Sequence, residues 1–158
     1  MQDSQRKWNL TILWSHNEEK HPFWLNTIMR TGGSVWWDVR WKLNPNQFDY
    51  PLTGYIWNTV EQKVTHKASI LEVDPKPSEE RMGEVLRSWR EARFHVNPNS
   101  PLLLYQKDQS ATCTLLKLSS LVRLKNPGEL EDIILHKENR PIGQGPQGVA
   151  IINDPQLI

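Results

Sequence analysis

Eight tryptophans in a chain of 158 residues, most of them crowded between Trp8 and Trp41, set the first constraint on what this chain can fold into. An indole buries a large flat face, but its N–H needs a partner once it leaves water. A Trp-rich core accommodates some of these rings. The excess points to flat faces offered to a ligand. The length fits one domain over residues 1–158, large enough to bury a core without staples.

Several function classes lose support early. The net charge is +1, so no bulk basic field attracts nucleic acid, and a nucleic-acid binder would have to rely on a local basic stripe. Cys113 is the only cysteine, which excludes an internal disulfide framework and any Cys-rich zinc site. It sits in the run Ala111 to Leu118, which reads as a buried strand, where a thiol behaves as a small hydrophobe. No apolar run nears the ~20 residues of a bilayer span, and Met1 to Trp8 is polar with no signal-peptide core. The expectation is a cytoplasmic protein with no membrane partner.

Catalytic and cofactor motifs are equally sparse. There is no phosphate-cradling glycine-lysine loop and no nucleophile elbow, and Gly143-Gln144-Gly145-Pro146 reads as a plain loop. His16, His21, His66, His95 and His136 are scattered. His16 and His21 lie five apart across Pro22, which is not a paired-ligand spacing on a helix. The reading is of a non-enzyme with no catalytic residue, no metal and no cofactor.

Trp8 to Trp14 is strand-like, and Ser15-His16-Asn17 forms a polar turn after it. His21-Pro22 opens a helix carrying Phe23, Trp24, Thr27, Ile28 and Met29, closed by Gly32-Gly33. Val35 to Trp41 is extended, followed by the Asn44-Pro45-Asn46 and Asp49-Tyr50-Pro51 loop. Gly54 to Val60 and Thr65 to Val73 read as a hairpin. Ser78 caps a helix reaching about Arg93, with Glu79 and Glu80 in its first turn and Met82, Val85, Leu86 and Trp89 at helical spacing. Asn97-Pro98-Asn99 ends that segment. Pro101 to Gln106 and Thr112 to Leu124 read as strands, Pro127 to Ile134 as a short helix, and the Gly/Pro-rich stretch from Lys137 as a tail. This order predicts an α+β fold, a curved mixed sheet or small barrel flanked by helices, and not repeated βαβ units. The end, Ile151 to Ile158, reads like a chain cut at a linker, as if one piece of a longer protein.

Polar and aromatic groups gather where elements end. Trp14-Ser15-His16-Asn17 closes a strand, and Val35-Trp36-Trp37-Asp38 opens the next extended segment. A recognised base needs this mixture of faces to stack on and donors and acceptors at its edge. Trp36 and Trp37 should point to opposite sides of a strand, one of them into the core.

These same residues resemble the opening of YTH domains, readers of N6-methyladenine in the PUA-like superfamily. The likeness runs through Trp14 to Asn17, the helix from Pro22, and Ser34-Val35-Trp36. It continues in the Gly54 to Val73 hairpin, in Leu121 to Pro127, and in Leu135 to Ile142. Trp37-Asp38-Val39-Arg40 is similar to a stretch of the related EVE domains. The resemblance implies Trp36 as the first wall of an aromatic cage, with Ser15, His16 and Asn17 at the base edge and Trp14, Trp37 and Asp38 beside them. Trp89 would be the second wall, or Trp57 in its place, although each also suits a core. Arg40, Lys42, Arg87, Arg90 and Arg93 are the candidates for phosphate.

The function so implied is recognition of a modified base, N6-methyladenine in DNA first, by flipping it into the cage. The setting would be the targeting module of a modification-dependent restriction system, with a C-terminal motor domain as partner. An RNA-binding reader of the same fold is the alternative within this class. A protein-interaction module using a Trp-rich surface is the alternative outside it.

Overall fold

The structure is a computed structural model that describes residues 10–22, 24–94 and 96–158. Trp8 and Asn9 of the first expected strand, Phe23 of the first expected helix, and His95 lie outside the described residues. Among the described residues, eight strands form one mixed sheet. In chain order they are β1 (Leu10–His16), β2 (Val35–Val39), β3 (Leu52–Asn58), β4 (Lys63–Asp74), β5 (Thr114–Gly128), β6 (Ile134–Leu135), β7 (Arg140–Pro141) and β8 (Val149–Asn153). Three helices accompany them: α1 (Trp24–Arg30), α2 (Glu79–Glu91) and α3 (Pro101–Lys107). The strand order is β2-β5-β4-β3-β1-β8-β6-β7, and β1 pairs in parallel with β3 while the other described pairs are antiparallel. The α+β expectation with a curved mixed sheet holds.

The curvature has a local cause. β4 and β5 are long, and their pairing shifts register between Val64 and His66, between Ser69 and Ile70, and between Ile70 and Glu72. Such bulges bend a strand pair and sharpen its twist. The sheet rolls far enough that Trp37 of the edge strand β2 reaches Trp14 of β1, four places away in the strand order, with ring centroids 5.6 Å apart. The main core fills this roll with Ile12, Trp14, Ile56, Ile70 and Leu116, closed by Trp24 and Ile28 of α1 and Val85 and Trp89 of α2. Because side chains alternate along a strand, Leu13, Tyr55 and Trp57 leave by the other face. There they join Val64, Leu124, Ile133 and Ile152 in a second core. β1 is therefore buried on both faces, which is why its sequence is almost continuously apolar.

Two close approaches fix the frame around β2. Gly33, at φ +84°, donates its N–H to Ile28 at 2.9 Å and closes α1 in a Schellman turn. A Cβ at Gly33 would stand 2.6 Å from the backbone of Ser120 and Leu121, so only glycine brings α1 this near β5. Gly54 lets the Trp14 ring lie on β3, since a Cβ there would meet it at 2.6 Å.

Three expectations need correction. Pro101 to Gln106 is not a strand but the helix α3: the Ser100 hydroxyl accepts from Leu103 N–H and Pro101 takes the first helical position. Pro127 to Ile134 is not a helix, because β5 runs on to Gly128 and only a 3-10 turn follows at Leu130–Asp132. The stretch from Lys137 is not simply a tail. Val149–Asn153 inserts as β8 beside β1, and Leu157 packs on the second core while its carbonyl accepts from Lys67.

Candidate functional site

The turn after β1 is built by its own polar residues. Asn17 Oδ1 accepts the backbone N–H groups of Glu19 and Lys20 at 2.9 and 3.0 Å, an Asx turn that leaves its amide NH₂ as the group it can offer. Thr59 N–H donates to the His16 carbonyl, fixing the end of β3 beside the end of β1. Ser15 N–H donates to the Gly148 carbonyl, which ties the loop before β8 to the same place. β2 arrives from across the roll and brings Trp37 and Asp38. The Asn97 to Pro101 segment completes the wall.

These elements surround a cleft with two joined chambers. The larger, about 670 Å³, is lined by His16, Asn17, His21, Trp24, Thr59, Asn97 and Ser100 among others. The smaller, about 400 Å³, adds Trp14, Val39, Trp41, Gly148 and Val149. Ser15, Trp37, Asp38, Arg40, Pro101 and Gln147 border both. Volumes of this size are typical of ligand clefts, which combine apolar walls with a few placed polar groups.

Trp37 is the centre of the aromatic cluster. His16 and Trp14 meet it nearly edge-on at 5.2 and 5.6 Å, and Trp24 lies tilted at 5.3 Å. Such contacts suit ring quadrupoles and hold Trp37 in one orientation. His16 is buried, and its Nε2 lies 2.5 Å from Glu18 Oε2. Asp38 is also buried and accepts the Leu102 N–H at 3.0 Å. Burial pushes its carboxyl up to about 6, against the opposing pull of the Leu102 N–H and the Ser100 hydroxyl. At neutral pH it is still mainly ionised, and so it is an acceptor.

The sequence-derived candidates divide clearly. Trp14, Ser15, His16, Asn17, Trp37, Asp38 and Arg40 come together around this cleft. Trp36 points to the opposite side of β2, beneath the Arg81 guanidinium at 4.5 Å, and its carbonyl accepts from Trp89 Nε1. Trp89 is wholly buried in the main core, and Trp57 lies in the second core, covered by the loop at Gly145. Lys42 is exposed outside both chambers, and Arg87, Arg90 and Arg93 are exposed on and just after α2. Trp24, His21, Trp41, Thr59 and Ser100 are cleft residues that the sequence reading did not single out. Trp24 and His21 border a helix start, and Ser100-Pro101 carries a cap signature, so those were the available signals.

Two further points bear on function. Of the seven tryptophans in the described residues, six are buried and Trp41 is 47% exposed. Among the described residues no group of His, Cys, Asp or Glu is arranged to hold a metal, and no helix is long and apolar enough to cross a membrane. Cys113 is buried and its thiol is pushed up by that burial.

No family model matches the chain, and no curated protein matches it. Solved structures do. Over 88% of this chain and 85% of the other, it superposes on ASCH from Zymomonas mobilis with a TM-score of 0.53 at 15% identity. A point mutant of that protein gives 0.55 at 16% identity, over 92% and 91% of the two chains. The chain shares its overall fold with these ASCH structures. At this identity the likeness carries the fold alone, and the ASCH-like frame says nothing by itself of what the Trp37 cleft holds.

Proposed function

We propose that this chain is a non-catalytic nucleic-acid reader that draws one nucleobase from its strand and holds it in the Trp37 cleft. The observation that carries this reading is the grouping of Trp37 with Ser15, His16 and Asp38 around one cavity. It supplies aromatic walls and edge-reading polar groups where three strand ends meet. Extruding a base costs a few kcal/mol, and stacking returns about 1–3 kcal/mol per base, so aromatic walls can offset the flip.

N6-methyladenine in DNA is the base we put first. Its remaining exocyclic N–H suits the Asp38 carboxylate, and its methyl suits the aromatic walls of the larger chamber, Trp24 and Trp37. Burying that methyl contributes only about 0.8 kcal/mol, a several-fold preference. Larger discrimination has to come from the polar edge.

The test is fluorescence-polarisation binding to matched DNA and RNA strands, each unmodified, with N6-methyladenine, or with 5-methylcytosine. One modified strand should bind several-fold tighter, and Trp37→Ala should abolish that preference whereas Trp36→Ala keeps it. Equal affinity for every strand, or none, overturns the reading. Cleavage or chemical change of a strand during incubation overturns its non-catalytic part. A preference confined to RNA replaces DNA as the substrate.

A further inference from the structure

We propose that the cleft takes two consecutive nucleotides, the second stacked on Trp41 with Arg40 on the phosphate between them. This rests on the reading of the Trp37 chamber as a base site.

Among the described tryptophans Trp41 is the exposed one, and the other six are buried. It stands in the smaller chamber, directly beside the one assigned to the first base. Single exposed hydrophobics are ordinary, but this one is held in place. Its carbonyl accepts a short hydrogen bond from the Thr114 hydroxyl of β5. Gly148 lies so close against the pyrrole side of the indole that no side chain could stand there. Gly148 in turn is fixed to Ser15 through its carbonyl. One edge of the ring is therefore clamped while nearly half of the residue faces solvent. A rigid, exposed indole costs little entropy on binding, and every base offers a face to stack on it.

The boundary between the chambers has the charge a phosphodiester needs. Among the described residues bordering both, Arg40 is the sole cation. It is exposed, with only a 3.5 Å contact to the Asn99 carbonyl, so its guanidinium can turn to a phosphate at little cost. Asp38 borders both chambers too, but it is buried and tied to Leu102 N–H, so the anion meets Arg40 rather than the carboxylate.

The experiment compares affinity for N6-methyldeoxyadenosine monophosphate, for its dinucleotides with one thymidine on either side, and for the ribose counterparts. Wild type, Trp41→Ala, Trp41→Phe and Arg40→Gln are measured, each first shown to melt like wild type. One dinucleotide should bind on the order of 5- to 100-fold tighter than the mononucleotide, the increment expected for a stacked base. Trp41→Ala should remove that increment, so that the dinucleotide binds this variant no tighter than the mononucleotide does, while Trp41→Phe keeps most of it. Arg40→Gln should lower dinucleotide affinity and flatten its salt dependence. If the mononucleotide binds but the second nucleotide adds nothing, or Trp41→Ala leaves the increment intact, the two-nucleotide inference fails alone. If no probe binds, the base-site reading fails with it.

Discussion

Trp36 and Trp37 are neighbours in one strand, equally buried, and yet they belong to different parts of the molecule. Trp36 offers its face to cations of its own chain, Arg81 at 4.5 Å and Lys117 at 5.7 Å. Its carbonyl receives the Trp89 indole N–H. The groove beside it is small, about 190 Å³. Trp37 instead meets the rings of Trp14, Trp24 and His16, beside a chamber more than three times as large. The pleat of β2 separates the two by one residue. An aromatic whose face is already satisfied within the fold supports structure, whereas one set beside a cavity with polar groups at strand ends can serve a ligand.

Truncating each ring in turn separates the two roles most directly. Trp36→Ala and Trp37→Ala should each cost about 3–5 kcal/mol of stability, the usual cost of removing a buried Trp, read by urea denaturation. Their effects on binding should diverge. After correction for folded fraction, Trp36→Ala should bind nucleic acid as wild type does and Trp37→Ala should not. If both lose binding equally, the pleat does not divide structural from functional indoles, and the distinction drawn here is wrong.

That division was only half legible in the sequence. Alternation said that the two rings part company, but not which one turns to the cleft, since this depends on how far β4 and β5 bend the sheet. α2 was readable because its signals are local: the Ser78 cap, the acidic first turn, and Met82, Val85 and Trp89 on one stripe. α3 was misread because Leu102, Leu103 and Leu104 make an apolar run that suits a strand equally well, and the Ser100-Pro101 start was the discriminating detail. β8 was missed for a different reason. Its partner β1 lies more than a hundred residues earlier, so its pairing has no local signature. The polar half of the site, Ser15, His16, Asn17 and Asp38, sits at strand ends next to turn residues and could be named from the sequence. Trp41 could not, because only tertiary packing brings it to the cavity, and Trp24 offered no signal beyond its place at a helix start.

A second test sharpens the comparison through protons. Asp38, next to Trp37, is shifted from 3.8 to about 6 by burial, so the fold favours its protonated form. Its contribution is present below about pH 4 and is lost as pH rises through 6, by up to about 3 kcal/mol at 1.36 kcal/mol per pKa unit. His66, buried on β4, is shifted the other way, from 6.5 to about 4, by burial and then by Arg123. The fold favours its neutral form, so that stability is lost as pH falls from 6.5 towards 4. The two slopes oppose each other in wild type. Asp38→Asn keeps an acceptor for Leu102 N–H but removes one slope. Its melting temperature should exceed wild type above pH 6, and should climb with pH between 4 and 6.5. A variant whose melting curve tracks wild type at every pH would show that Asp38 is not held as an unfavourable buried charge.

The smallest effect belongs to the Trp36 side. Arg81 covers that ring while reaching Glu72 at 2.9 Å and Asp74 at 3.3 Å, both partly exposed. A partly exposed cation over an aromatic ring contributes about 0.5–1 kcal/mol, and partly exposed ion pairs add less than 1 kcal/mol each. Arg81→Gln should therefore lower stability by roughly 1 kcal/mol, with a smaller difference at high salt because the ionic share is screened. Nucleic-acid affinity and its base preference should not move. A change in binding larger than twofold would mean that the cation over Trp36 reaches the ligand after all, and that the two faces of β2 share one site.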